Sequence, residues 1–188
     1  MFLIVLNNYI LNRLIVIFCC VILFASCGVD KEDISNVLTY EMLNDNYTGQ
    51  GTYVLQNGDT YIGEWKKGAP HGKGVYKWAL GDRYEGEFRS WKQHGKGTYI
   101  YANGDKYTGD WEDGNKDGEG LFIFSSGSSY EGGFKNNMHD GEGTLIYPDG
   151  GRFIGQFKMN VRDGNGVLIF PDGSKKEGLW KKGLFIED

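Results

Sequence analysis

The residues of this 188-residue chain suited to chemistry are three histidines, three cysteines and a recurring set of aspartates. His71 and His94 occupy equivalent loop positions 23 residues apart. In a hairpin array that interval is two strand spacings, ~10 Å. Two zinc ligands must each approach a common metal to ~2.0–2.1 Å, so this pair does not share one. Each reads as a turn-stabilising polar residue, and His139 falls one place out of register. Asp117, Asp140 and Asp163 recur at the same interval. A paired acid–base site needs carboxylates ~5–9.5 Å apart converging on a cleft. A ladder of equivalent turns offers no second kind of group, so these acids are expected to hold their turns by hydrogen bonds. Ser125-Ser-Gly-Ser-Ser129 has no histidine partner, and no glycine-rich loop opens a helix to cradle phosphate. Cys19, Cys20 and Cys27 all precede Gly28, which leaves no disulfide framework or thiolate metal site beyond them. The expectation is a chain without catalytic, cofactor or metal residues, and no enzyme.

The elements that would carry these side chains follow from composition. Glycine supplies 30 residues and the aromatics 28 (5 Trp, 12 Tyr, 11 Phe), with only 3 prolines. Disordered chains are poor in aromatics, so this mixture reads as tight turns joining short strands. The 20 basic and 25 acidic groups leave a net charge of −5. A nucleic-acid backbone is excluded as the main partner, because phosphate binding needs clustered Lys and Arg. Simple electrostatic adsorption to anionic lipid is disfavoured for the same reason.

The period is 23 residues. Tyr61, Tyr84, Tyr107, Tyr130 and Phe153 open successive units, with Lys176 in the sixth slot. Two residues on stand Gly63, Gly86, Gly109, Gly132, Gly155 and Gly178; two further on stand Trp65, Phe88, Trp111, Phe134, Phe157 and Trp180. Alternate side chains of a strand share a face, so Tyr61, Gly63 and Trp65 point one way. In the return strand Gly72, Gly74, Tyr76 and Trp78 share a face. Glycine weakens a strand interior unless another group lies over it, and rings of one strand covering glycines of the next would supply that group. Asn57-Gly58, Asn103-Gly104, Asp149-Gly150 and Asp172-Gly173 suit type I′ turns, with positive φ at both central residues. Lys116 falls in a loop on this reading.

Units such as Tyr84-Glu-Gly-Glu-Phe-Arg-Ser-Trp-Lys-Gln-His-Gly-Lys-Gly-Thr-Tyr99 resemble the MORN repeat, the membrane occupation and recognition nexus motif. The resemblance covers 49–183, with five full units over 61–175 and partial units at both ends. Gly133 and Leu179 stand where an acid is usual, and Asp117, Asp140 and Asp163 where a histidine is usual. The resemblance implies an all-β fold over 47–188: an elongated single-layer antiparallel sheet growing by one hairpin per repeat.

Residues 1–26 carry one charge, Arg13, and the apolar run Leu14–Ser26 is short of the ~20 residues a membrane helix needs. It has the length of an export-signal core, followed by the small residues Ala25 and Ser26. Leu23-Phe-Ala-Ser-Cys27 resembles a bacterial lipobox, with Phe24 where a branched aliphatic residue is usual. That resemblance implies a helical signal peptide over 1–26, a lipidated Cys27, and an acidic tether over 27–46 in which a short amphipathic helix would carry Ile34, Val37, Leu38 and Met42. The expected location is the cell envelope, as a membrane-anchored lipoprotein; the alternative is a single uncleaved N-terminal anchor.

A single-layer sheet cannot bury both faces, so its aromatic stripe is the candidate interaction surface: Tyr61, Trp65, Tyr84, Phe88, Tyr107, Trp111, Tyr130, Phe134, Phe153, Phe157 and Trp180, with Trp91 replacing a loop glycine. The alternative spends these rings on covering glycines. Three functions fit: a protein-interaction or assembly scaffold, a phospholipid-binding module, or an accessory subunit of an enzyme encoded elsewhere. Tyr47–Leu55 carries no charge, so the N-terminal sheet edge is the expected route to a homo-oligomer.

Overall fold

The computed structural model describes residues 36–187. The expected signal segment, Cys27 and the expected tether up to residue 35 lie outside the described residues. A short helix, α1 (Tyr40–Asn44), is followed by β1 (Gly49–Val54), β2 (Thr60–Lys66), β3 (Ala69–Lys77), β4 (Arg83–Arg89), β5 (Lys92–Ile100), β6 (Lys106–Glu112) and β7 (Asn115–Ile123). Then come β8 (Ser129–Lys135), β9 (Met138–Ile146), β10 (Arg152–Lys158), β11 (Val161–Ile169), β12 (Lys175–Lys181) and β13 (Leu184–Phe185). The 13 strands lie in chain order in one open antiparallel sheet, each hairpin-linked to the next.

Glycine sets the register. Gly51, Gly63, Gly74, Gly86, Gly97, Gly109, Gly120, Gly132, Gly143, Gly155, Gly166 and Gly178 pair in one unbroken line across β1 to β12. The opening ring of each unit lies over a glycine of the next strand. A Cβ built on Gly74 would stand 2.4 Å from the Tyr61 hydroxyl oxygen, and one on Gly97 2.2 Å from that of Tyr84. Just past the line the ladder slips by two residues, between Gly63 and Trp65 and equivalently in later units, so that one residue opposes three of the return strand. Such a bulge strips a carbonyl of its ladder partner. The tyrosine of the same strand answers it: Tyr61 donates to Glu64 O at 2.9 Å, Tyr84 to Glu87 O at 3.0 Å and Tyr107 to Asp110 O at 2.9 Å. The acid in the bulge has its own use. The Glu64 carboxylate accepts the Lys73 amide at 3.0 Å, and that of Asp110 accepts the Glu119 amide at 2.9 Å. Gly133 departs from this because its Cβ would fall 2.3 Å from the Asp140 carbonyl oxygen.

The two classes of turn are the reverse of those expected. At Leu55–Gly58 the Gly58 amide closes on Leu55 O at 3.0 Å and positive φ is confined to the glycine, at 88°. The Asn-Gly and Asp-Gly pairs are therefore four-residue turns ending in a left-handed glycine, a geometry that also admits Pro148 and Pro171 just after the first residue. The two-residue turns with positive φ at both positions are the other set: Lys67-Gly68, Ser90-Trp91, Asp113-Gly114, Asn136-Asn137, Met159-Asn160 and Lys182-Gly183.

The first edge is not bare. Thr39 caps α1 by accepting the Met42 amide at 3.3 Å, so the helix starts after Val37 and Leu38 rather than including them. Those two run extended: Val37 forms a parallel bridge with Thr52, and the Leu38 amide donates to Thr52 O at 2.8 Å. The Tyr47 hydroxyl takes Gln50 O at 2.7 Å. Leu38 is 3% exposed and fills the space above Gly51. Two carbonyls of this edge strand, those of Gln50 and Thr52, are thus taken up by the chain itself.

Candidate interaction site

The eleven rings of the repeat stripe are the core of the sheet. Tyr61, Tyr84, Tyr107, Tyr130 and Phe153 are 0% exposed, and Trp65, Phe88, Trp111, Phe134, Phe157 and Trp180 no more than 5%. This corrects the expectation that they remain open surface. Each opening ring is boxed edge-to-face by its own unit's second ring and by that of the next unit: Tyr84 lies 5.0 Å from Phe88 and 5.2 Å from Trp111. The indole N–H of Trp65 reaches back to Gly51 O at 2.9 Å, and Trp111 and Trp180 do the same to Gly97 O and Gly166 O. Burial pushes the hydroxyl pKa of Tyr61 and Tyr84 up, with Glu64 and Glu87 adding to it, so both stay protonated donors.

What remains accessible on that face is a second ladder the sequence reading did not single out as a surface. Tyr76 and Trp78, Tyr99 and Tyr101, and Phe124 are half-buried beside the core, with ring centroids 4.4–5.1 Å apart from Tyr76 through Tyr101. Aspartates hold its hairpins in step. Asp59 accepts the Tyr76 hydroxyl at 2.8 Å and the Ala79 amide at 2.9 Å; Asp82 accepts Tyr99 and Ala102 in the same way. Their 23-residue spacing was the available signal. Asp117, Asp140 and Asp163 also work between repeats, accepting the amides of Asn136, Met159 and Lys182.

Trp91 is the exception among the named rings, 42% exposed with its edge on Trp65 at 5.6 Å. It sits at φ 71°, where Gly68, Gly114 and Gly183 take the equivalent turn position. A left-handed bulky residue costs roughly 1–3 kcal/mol, and one exposed edge-to-face pair returns ~0.5–1.5 kcal/mol. Trp91→Gly is therefore expected to leave the melting temperature unchanged or raise it by a few degrees. A loss above ~2 kcal/mol would make this indole a structural prop.

His71 and His94 lie within β3 and β5, paired with Arg89 and Glu87, rather than in the loops expected of them. His94 Nδ1 lies 3.3 Å from Glu112 Oε2 without hydrogen-bond alignment, and Asp113 completes a group of three potential ligands. Arg89 already reaches both acids, Glu112 at 3.0 Å and Asp113 at 2.9 Å, and holds the Asp113 carboxyl below its usual range. The trough on the opposite face mixes Lys96, Thr98, Thr108, Glu119 and Glu131, with no converging nucleophile and base.

Fold and site together define a tandem hairpin array whose face is lined with rings and carries no assembled catalytic constellation among the described residues. The MORN repeat family profile matches residues 41–60, 61–83, 84–106, 107–129, 130–152 and 153–175. The chain belongs to the MORN repeat family, whose arrays are generally non-enzymatic and commonly serve as protein- or membrane-interaction modules. No curated protein matches its sequence significantly. Among solved structures, it aligns with the SAS-4 TCP domain of Drosophila melanogaster, in complex with a proline-rich motif of Ana2, at 17% identity and TM-score 0.35, covering 68% of this chain and 88% of that one. It also aligns with virginiamycin B lyase from Staphylococcus aureus at 16% identity and TM-score 0.19, covering 74% and 44%. Neither likeness bears on function.

Proposed function

We propose that the chain is a non-enzymatic scaffold held at the cell envelope by a lipid on Cys27, and that it binds a protein partner along the accessible aromatic ladder. The ladder supports this reading: half-buried rings run from repeat to repeat on one face, and contiguous apolar surface of this kind marks interaction sites. A phospholipid-binding role has less support, since the net charge of −5 opposes anionic headgroups. Service as an accessory subunit of an enzyme encoded elsewhere would use the same surface. No helix among the described residues is long and apolar enough to cross a membrane. Cys27 is the only cysteine that would survive cleavage after Ser26.

Two measurements test the two halves. Incorporation of labelled fatty acid should vanish in Cys27→Ser; persistence would refute the anchor. A photo-crosslinking amino acid at position 124, on the ladder, should trap one defined protein in cells, whereas position 131, on the opposite face, should trap none. Adducts with lipid alone, or equal yields from both positions, would refute the scaffold reading.

A further inference from the structure

The second ring of each repeat faces, across its hairpin, one residue whose side chain lies on the ring face. Those residues are Pro70, Gln93, Lys116, His139 and Arg162, paired with Trp65, Phe88, Trp111, Phe134 and Phe157. Three consecutive members can carry positive charge. Lys116 Nζ lies 4.8 Å from the Phe122 centroid and 5.5 Å from those of Tyr101 and Tyr107, and donates to the Tyr101 hydroxyl at 3.0 Å. The His139 ring stacks on Tyr130 at 3.6 Å and 11°. Arg162 Cζ lies 4.9 Å from both Phe153 and Trp180, and the guanidinium donates to the Tyr147 hydroxyl.

These cations lack the partners found elsewhere on the sheet. Arg83, Arg89, Lys96 and Lys176 each hold a carboxylate within 3.3 Å. Among the described residues neither Lys116 nor Arg162 forms such a pair. Asp105 is the one carboxylate acting on Lys116, and it is taken up by the Ser125 amide and the Asn103 side chain. A groove of about 490 Å³ opens beside Lys116 and passes His139 to Tyr147, the residue Arg162 bonds, with the side-chain amides of Asn137 and Asn160 on its wall and no acidic residue in its lining. An acid-free lining stands out in a chain of net charge −5.

Spacing narrows the occupant. Successive members of the row are two strands apart, ~9.6 Å. Same-side residues recur every ~6.6–6.8 Å in a β-strand, but every ~9.3 Å in an extended helix of three residues per turn. The second period matches the row, and its third residue meets a half-buried ring such as Phe124 or Tyr147. Burial first, and Lys116 second, hold the His139 pKa down at about 4, so at neutral pH the middle site is an uncharged hydrogen-bonding group.

We infer that this row binds an acidic peptide segment of the protein partner, lying across the strands in an extended three-residue repeat with carboxylates at positions i and i+6 on Lys116 and Arg162. The inference rests on the protein-partner reading above and adds the chemistry of the partner.

Fluorescence anisotropy on the full chain in nonionic detergent tests it. The probe is a labelled twelve-residue peptide of four Asp-Pro-Ala units. Its comparators are a peptide of the same composition with the aspartates contiguous, and Ser-Pro-Ala and Lys-Pro-Ala peptides of equal length. The periodic acidic peptide should bind at least ten-fold tighter than each comparator. Lys116→Met and Arg162→Met, which keep an apolar stem over the rings, should each weaken it several-fold while unaltered melting shows that the fold survives. Equal affinity for the Ser-Pro-Ala peptide would overturn the acidic preference and leave the scaffold standing. Indifference to both substitutions, or binding of phosphatidylglycerol vesicles through Lys116 and Arg162 with no peptide binding, would overturn the site.

Discussion

Gly109→Ala is expected to cost ~2 kcal/mol, lowering the melting temperature by roughly 4–8 °C at ~2–4 °C per kcal/mol for a domain of this size. Gly109 lies on the glycine line, between Gly97 and Gly120. A Cβ there would stand 2.5 Å from Glu119 O, 2.6 Å from Gly120 Cα and 2.6 Å from the Tyr107 hydroxyl. Two of the three obstacles are backbone, and the third is a ring pinned by its own hydrogen bond to Asp110 O. Nothing near can swing aside. Overpacking of this kind costs ~1–3 kcal/mol, and this site belongs at the upper end. Alanine also restricts the unfolded chain, which returns at most ~1 kcal/mol. Gly150 provides the contrast: it has no neighbour within 4 Å of its built Cβ but sits at φ 87°. There alanine should cost only the ~1 kcal/mol of a left-handed residue. Lys158→Ala, exposed at the end of β10, should stay within ~0.5 kcal/mol. Melting curves that rank Gly150 or Lys158 above Gly109 would overturn the account of the glycine line.

The period, the ring-over-glycine packing and the single antiparallel sheet could be read from the sequence because each rests on one residue type at a fixed interval. Turn geometry could not. Asn57-Gly58 satisfies the composition of a two-residue turn, yet the Asn57 side chain accepts the Asp59 amide at 3.2 Å and the loop closes one residue earlier, from Leu55. Ser90-Trp91 and Met159-Asn160 adopt the geometry that composition would deny them, because the flanking strands dictate the turn. The fate of the rings turned on a quantity no strand pattern contains. Alternation puts Tyr84 and Trp111 on the same face but does not say that they close over one another, which leaves only the neighbouring ladder half-exposed. Lys116 illustrates the same limit. Read as a loop residue, it is the second residue of β7, and its butylammonium stem spans three rings. The basic row is invisible in composition because each member belongs to a different residue type, and only their shared register unites them.

Tyr84→Ala is expected to be the more damaging change, at ~3–5 kcal/mol, while Tyr84→Phe should cost about 1 kcal/mol. The ring is 0% exposed, packs against Phe88 and Trp111, and covers Gly97. Removing it opens a cavity in a layer only one sheet thick and strips the covering from a glycine that has no side chain of its own. Large-to-small changes of this size cost ~3–5 kcal/mol when the surroundings cannot collapse. The strands here are held in register by ladders on both sides, so collapse is restricted. The hydroxyl is a smaller matter: it donates to Glu87 O at 3.0 Å, with His94 O a longer alternative at 3.5 Å. Losing such a bond costs ~0.5–1.5 kcal/mol. The chain makes that comparison itself in its fifth unit, where Phe153 fills the same slot, equally buried, with no hydroxyl to donate. Because each repeat touches only its neighbours, the alanine variant should also divide the transition. Hydrogen exchange is then expected to show β3 to β6 losing protection before β9 to β12. Uniform loss along the sheet, or a phenylalanine variant as damaged as the alanine one, would show that the hydroxyl network rather than the ring ladder holds the array.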